Sequence, residues 1–412
     1  MSFEKVHLYV EKYSRRYGEI LLDFLSEKEF LYFRSNGQIE SNMHLSSEEH
    51  EPTMLLIHNF EAPNTNIREG GMITTDMRRL IEITNEARET DTDTNIIQNQ
   101  ARSSIIYQVI ADGQIFSELI ISTESTVSRT VPSGSFSTPA VLEAIDNETA
   151  WSHLCCLDAM KGAIELRVWD VAQGSTNSIS DNNNLALFDF GASYYKSDAQ
   201  LRSIIASHSH LLNTKNRNTL IISHWDIDHY NLLTVISSAF LMRLDCVLYP
   251  PVSPNLTAVQ VANKIARYCK HRFLIIPSAR TGRKYTISPK YAGTNYALFS
   301  GDAGPSKNLS GLLMSIYGRA STALLTADHN NYQVWSKMYT PTSKKLHVVV
   351  PHHGGFCGKT PVPTPSNPGI AVISVGSNTY KHPSPSVEAS YRKAKFRLCR
   401  TDIWGHDITI NI

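Results

Sequence analysis

The stretch Ser223-His224-Trp225-Asp226-Ile227-Asp228-His229 places four metal-binding side chains within six residues, spaced H-x-D-x-D-H. It follows the apolar run Leu220-Ile221-Ile222, which reads as a buried strand. A strand ending in such a cluster predicts a metal site at the end of a sheet. Imidazole suits zinc, manganese and iron, and carboxylate oxygen hardens the site toward manganese or magnesium. The competing account is a polar loop whose histidines and aspartates are neighbours by chance, and it leaves the spacing unexplained.

Apolar runs on either side extend the pattern. Residues 164–168, 185–188, 220–222, 246–248, 273–276, 297–300, 312–316, 323–326, 347–350 and 371–374 predict strands. Residues 174–184 read as a turn, and helices are predicted over 198–212, 232–241 and 258–271. Strands alternating with helices indicate a layered α/β fold. Ahead of residue 160 the texture differs. Strands are predicted at 20–24, 30–33, 54–57, 105–110 and 115–121, interrupted by polar tracts at 84–102 and 122–138. The second tract, with Pro132 and Gly134, reads as a linker, and a helix is predicted over 139–160. This first region contains no motif with chemistry and no internal repeat.

At 412 residues the chain suggests two or three domains. A formal net charge of +1 gives no bulk pull toward nucleic acid or acidic membranes. Local basic runs occur at Lys264, Arg267, Lys270 and Arg272, at Arg280, Arg283 and Lys284, and from Arg392 to Arg400. Read singly, each is a solvated helix or loop face. Six cysteines without a C-x-x-C pair fit free thiols in a reducing cytosol. The N-terminal MSFEKVHLYVEKY carries charge where a signal peptide needs an apolar core. No apolar run approaches the roughly 20 residues that span a bilayer. These features predict a soluble cytoplasmic protein without a membrane partner.

Further motifs follow the same rule of apolar run, then polar residues. Asp189-Phe190-Gly191 follows the run at 185–188, and Asp328 follows Leu324-Leu325-Thr326. His352-His353-Gly354-Gly355 follows Val348-Val349-Val350, and His382-Pro383-Ser384 comes after Val372-Ile373. Ahead of them all stands Asp170-Val171-Ala172-Gln173-Gly174-Ser175, and Asn308-Leu309-Ser310 precedes the run at 312–316.

In order and spacing these motifs resemble the metallo-β-lactamase superfamily, and within it the soluble hydrolase domain of ComEC-type competence DNA-uptake proteins. That family shows D-V-G-Q-G-D, D-x-G, T/S-H-x-D-x-D-H, N-x-S, L-x-G-D, H-H-G-S and H-P in turn. The resemblance covers about residues 161–412. It implies an αββα sandwich there, with residues 1–160 forming an additional N-terminal α+β region. Ala172, Ser175, Tyr230-Asn231 and Ala327 depart from the family's Gly, Asp, Gly and Gly. Asn308 stands where β-lactamase-type members carry a histidine, and an amide is the weaker ligand.

A two-metal centre is the expectation. His224 and Asp226, two residues apart in an extended turn, can face one ion, and Asp228 and His229 a second. Asp328 can bridge, and His352 or His353 closes the second site. Two divalent ions, zinc or manganese with magnesium as an alternative, about 3.5–4 Å apart can share a hydroxide that attacks phosphorus. Asp228 then holds both ion and nucleophile, and His382 contacts a phosphate or protonates the leaving oxygen. Asp170, Gln173, Asp189 and Asn308 are expected behind or beside the ligands, orienting them.

Three look-alikes are weaker. Asp189-Phe190-Gly191 lacks the loops of a kinase. His353–Thr360 falls one residue short of a phosphate-binding loop and runs into Pro361 and Pro363. His208-Ser209-His210 sits in a predicted helix, where side chains two apart diverge. His329, His347 and His406 are expected to be structural or surface residues. Three functions fit the motifs: a metal-dependent phosphodiesterase or nuclease acting on nucleic acid, a metallo-hydrolase of a lactone, thioester or cyclic nucleotide, and a non-catalytic protein. Residues 1–160 are candidates for binding a protein partner.

Overall fold

The computed structural model describes residues 5–14, 19–36, 54–57, 67, 69–78, 80–82, 106–109, 126–128, 155–304, 306–378 and 380–412. The chain forms two compact units. One comprises Met1–Leu142, Tyr195–Gln200 and Ser253–Asn263, the other Glu143–Tyr194, Leu201–Val252 and Lys264–Ile412. Among the described residues no helix is long and apolar enough to cross a membrane.

The first unit is α+β. Strands β1 (Lys5–Ser14), β2 (Glu19–Phe24), β3 (Met54–Ile57), β4 (Met72–Asp76), β5 (Ile106–Val109) and β6 (Thr126–Ser128) form one sheet in the order β5-β3-β2-β1-β4-β6. In β1 the alternating Val6, Leu8 and Val10 enter the core. The strand expected at 30–33 is instead part of a helix, Glu27–Asn36. Glu27 and Glu29 suit the positive end of a helix, and Phe30 packs edge-on against Phe24 at 5.5 Å. β6 lies inside the expected linker. The expectations at 84–102 and 115–121, and most of that at 139–160, lie outside the described residues; residues 156–159 form a turn, not a helix.

The second unit is an αββα sandwich. Its first sheet takes β7 (Glu165–Val168), β8 (Thr176–Ser180), β9 (Asn184–Phe190), β10 (Arg217–Ile221), β11 (Cys246–Tyr249), β12 (Arg272–Leu274) and β20 (Ile408–Asn411), ordered β12-β11-β10-β9-β8-β7-β20. The second runs in sequence through β13 (Ile287–Ala292), β14 (Tyr296–Gly301), β15 (Leu312–Tyr317), β16 (Ser321–Leu325), β17 (Lys345–Val349), β18 (Pro368–Ile373) and β19 (Arg397–Arg400). Pairing is parallel from β9 to β12 and from β16 to β19.

Between the sheets, Val168, Phe188, Ile221 and Leu248 share one core with Leu298, Met314, Leu325 and Val349. Cys155, Cys156, Leu157 and Met160 enter this core as well. On the outer face of the second sheet, Val348, Val350 and Ile373 pack with Trp335 and Tyr391 of the covering helical segments Val334–Met338 and Pro385–Lys393. Val349 turns inward and Val348 outward, so both faces are apolar and the strand reads as an unbroken run. All six cysteines are buried free thiols.

Two expectations in this unit are corrected. The predicted turn at 174–184 holds β8, a buried strand whose T-N-S-I-S lacks apolar alternation because its polar groups are bonded internally, as in Trp169 Nε1 to Ser178 Oγ at 2.9 Å. The helix expected over 232–241 breaks into Leu232–Val235 and Ser238–Leu241, where Ser237 caps Phe240 N. β13, β19, β20 and the helix Pro385–Lys393 had no sequence counterpart.

His347 illustrates a structural histidine. It lies in β17 at the irregular step opposite β18, and its Nδ1 accepts the Ile370 N–H at 3.1 Å. That bond requires a neutral ring. Burial, and then Lys345, push its pKa down to about 4. The folded pKa is depressed, so stability is complete above the unfolded value of roughly 6.5 and is lost as pH falls from there toward 4. Denaturant unfolding at pH 7.5 and pH 4.5 should show about 2–3 kcal/mol more loss for wild type than for His347→Gln.

Candidate metal centre

Both parallel halves carry the motifs at the C-terminal ends of their strands. Asp189 ends β9, Ser223–His229 follows β10, Asp328 follows β16 and His352-His353 follows β17. Local backbone is unusual here. Among the described residues, six of the seven non-glycine residues with left-handed φ are Ala172, Asp189, Ala327, His352, His353 and Lys381, all in or beside these motifs. Such conformations cost about 1–2 kcal/mol each and cluster at functional sites. Ala172 (φ 61) and Ala327 (φ 44) hold this conformation without glycine's freedom. Ala327→Gly should therefore stabilise the protein by about 1 kcal/mol in urea unfolding.

Gly191 explains its own motif. A Cβ there would run into the backbone of Asp228 and His229. This close approach lets Ser175 N donate to Asp228 O at 2.9 Å and Gly191 N to Ser175 O at 2.9 Å, locking the metal-motif helix Ile227–Tyr230 onto the end of β9.

Five predicted ligands converge: His224, Asp228, His229, Asp328 and His353. Two groups have ligand atoms within 4.8 Å of one another, His224 with His229 and Asp328, and Asp228 with His229 and His353. His229 Nε2 lies 3.3 Å from Asp328 Oδ1, and His353 Nε2 lies 3.5 Å from Asp228 Oδ2. The other two predicted ligands, Asp226 and His352, and the expected neighbours Asn308 and His382 are placed less centrally. Asp226 Oδ2 is 3.6 Å from His224 Nε2 while its Oδ1 meets Lys307 Nζ. His352, with its side chain 35% exposed, bonds Asp328 Oδ2 through Nδ1 at 2.8 Å. Asn308 Nδ2 approaches the same oxygen at 3.5 Å. The His382 ring stands 5.6 Å from His352, and Asn378 bonds its N and O.

Asp189 is the hub behind the ligands. It accepts from Ser223 N at 2.7 Å, from Ser223 Oγ and Ser175 Oγ at 3.0 Å, and bonds His229 Nδ1 at 2.8 Å. The last bond fixes the ring so that Nε2 points into the centre. Gln173 is buried in the loop after β7, with Oε1 lacking a hydrogen-bond partner. Asp170 donates its N–H to Asp407 at 2.9 Å. Asp407 also bonds His208, whose ring stacks on Trp169, so the His208-Ser209-His210 look-alike begins with a structural residue.

The side chains fit a cation. His224 Nε2, His229 Nε2, His353 Nε2 and Asp328 Oδ1 are buried with no hydrogen bond. Each such atom costs about 1–3 kcal/mol unless something satisfies it; His224, His229 and Asp328 form one group, and His353 joins His229 and Asp228 in a second. Charges are interlocked. Burial opposes charge on His229, yet Asp328 and Asp189 outweigh it and hold its pKa well above the usual histidine range. Burial also opposes charge on Asp328, but His352 and His229 keep it well below the usual carboxylate range. His224 is pushed down by burial and then by His229, and His329 falls to about 3 by burial and then by His224. A bound cation replaces the proton on such a histidine, so binding releases protons.

Sequence reasoning missed Lys307 and the double role of Ser223. Lys307 adjoins Asn308, so the motif around residue 308 was the available signal.

No family model matches the sequence, and no curated protein matches it. Among solved structures, the chain is similar to the metallo-β-lactamase fold protein YhfI from Bacillus subtilis, at 9% identity and TM-score 0.36, over 61% of this chain and 100% of that one. It is also similar to the short form of human tRNase Z, at 10% identity and TM-score 0.33, over 57% of this chain and 92% of that one. These likenesses are distant, and the function proposed below rests on this chain's own geometry.

Proposed function

We propose that this protein is a metal-dependent hydrolase of phosphodiester bonds in nucleic acid. The observation that carries the metal is the convergence of three imidazoles and two carboxylates whose buried atoms lack other hydrogen-bond partners at His224, His229, His353 and Asp328. A divalent ion held there supplies Lewis acidity toward a phosphate oxygen and makes water nucleophilic near neutral pH. The protein's own groups do the rest. Asp189 orients the His229 ring, His352 holds Asp328, and His382, its ring 5.6 Å from that of His352, is the group to bind a phosphate oxygen or give a proton to the leaving oxygen.

Charge distribution favours a polyanionic substrate over a small neutral one. Lys264 to Val387 contains fifteen lysines and arginines against two carboxylates, Asp302 and Asp328, a formal +13 within a chain of +1. Some of these cations lie at the far strand ends, such as Lys344 beside Gly318. Others adjoin the centre through aromatic rings. Arg280 lies over Tyr285 at 4.8 Å, and the Tyr285 hydroxyl accepts from Ser306 N, next to Lys307. Lys284 and Lys337 lie over Tyr332, at 4.9 and 5.6 Å, in the short helix Asn331–Gln333 that follows Asp328. Phe356, 67% exposed, follows the histidine motif. Rings interleaved with cations suit a single strand, whose bases stack while its phosphates meet the charges.

The test is turnover of the purified full chain on plasmid, single-stranded DNA, RNA and cyclic dinucleotides, with manganese, magnesium and zinc in turn. Hydrolysis of a polymeric substrate that chelator abolishes is expected. Cleavage confined to cyclic dinucleotides, or none with any metal, overturns the proposal.

A further inference from the structure

We infer that the centre is built for a single divalent ion, and that the Lys307 ammonium occupies, as an internal cation, the place beside Asp226 where the sequence motif predicts a second. This rests on the metal-dependent reading above, and two observations carry it.

The first concerns His229. Both groups of ligand atoms close enough to hold an ion draw on this one imidazole. Its Nδ1 is engaged with Asp189 at 2.8 Å, so only Nε2 faces the centre. Nε2 has one lone pair in the ring plane, and one lone pair serves one ion. The two triads are therefore alternative groupings around one nitrogen. They cannot both be filled as complete three-ligand sites.

The second concerns Asp226. It is wholly buried and close to His224, yet it belongs to neither triad. Its Oδ1 is in ion-pair contact with Lys307 Nζ, which also donates to the Trp225 carbonyl at 3.3 Å. The Lys307 side chain is only 15% exposed. A buried carboxylate must be compensated by a nearby positive group. At Asp226 the chain supplies that group itself. An ammonium in contact with the carboxylate also repels any divalent ion approaching from the same side. Asp228 and Asp328 are then the two carboxylates left to match one doubly charged ion.

The measurement is metal content. The full chain, reconstituted with excess Mn²⁺ or Zn²⁺ and desalted, is expected to hold one equivalent by plasma mass spectrometry. Calorimetric titration with Mn²⁺ should show a single class of site. Lys307→Gln strips Asp226 of its counter-charge and is expected to raise the content to two equivalents; Lys307→Arg should remain at one. Two equivalents in wild type, or one in folded Lys307→Gln, overturns the inference and leaves the metal-dependent reading standing. No metal in wild type overturns that reading and this inference with it. If Lys307→Gln does not fold, Asp226→Asn decides. It is expected to keep one equivalent at unchanged affinity, because its carboxylate serves Lys307, and loss of that equivalent overturns the assignment.

Discussion

Asp228→Asn should lower the rate of phosphodiester cleavage by about 10²–10³, roughly 3–4 kcal/mol of barrier, while the protein stays folded. The carboxylate is buried, and Oδ2 sits 3.5 Å from His353 Nε2. Asparagine keeps the shape and removes the charge that faces the cation site. A helix-capping role predicts something else, a loss of about 1 kcal/mol of stability with activity retained. The geometry disfavours capping. Asp226, not Asp228, occupies the N-cap of Ile227–Tyr230, and its side chain makes no capping bond. Steady-state rates with the metal-loaded variant, alongside its unfolding curve, separate the two. Wild-type turnover in a folded Asp228→Asn protein would sink the proposed role.

Asp189→Ala should act on stability and metal affinity together. The aspartate is fully buried and serves Ser175, Ser223 twice, and His229. Removing it leaves a buried backbone N–H and the His229 Nδ1 unsatisfied, a loss of about 3–5 kcal/mol. His229 also loses the bond that aims Nε2, which typically costs about 10–100-fold in metal affinity. Asp189→Asn should lie between, since one carbonyl oxygen can still accept from Ser223. Urea unfolding and metal titration check both parts. A variant within about 1 kcal/mol of wild type that binds metal equally well would show Asp189 to be a bystander.

Some of this was legible in the primary structure because apolar runs and ligands obey short-range rules. The Leu220-Ile221-Ile222 run buries on both faces and so reads as a strand, and ligands follow it directly. The convergence of His224, Asp228, His229, Asp328 and His353 followed from motifs at strand ends. Other parts depend on contacts that spacing does not encode. Whether His352 or His353 faces Asp228 is decided by two consecutive left-handed residues, at φ 54 and 51, which no local propensity announces. Lys307 was invisible because a lysine in a polar stretch is ordinarily solvated, and only its approach to a buried aspartate gives it meaning. β8 was hidden because its polar side chains find partners inside the protein, as the Thr176 hydroxyl does at Gly191 O.

The last strand has a consequence for how the protein is made. β20 pairs with β7, and Ile412 N reaches back to Ile164 O at 2.8 Å. Asp407 holds Asp170, which precedes it by 237 positions. During synthesis, β7 to β12 emerge first and wait with one edge of β7 unpaired, a template for wrong partners. The loop bearing Asp170 has no anchor at Asp407 until synthesis has passed that residue. Contacts this distant in sequence slow folding and lengthen the period of exposed edge. Closure of this sheet therefore waits until synthesis has passed β20, and a chain cut upstream of Asp407 leaves the β7 edge open and prone to aggregation.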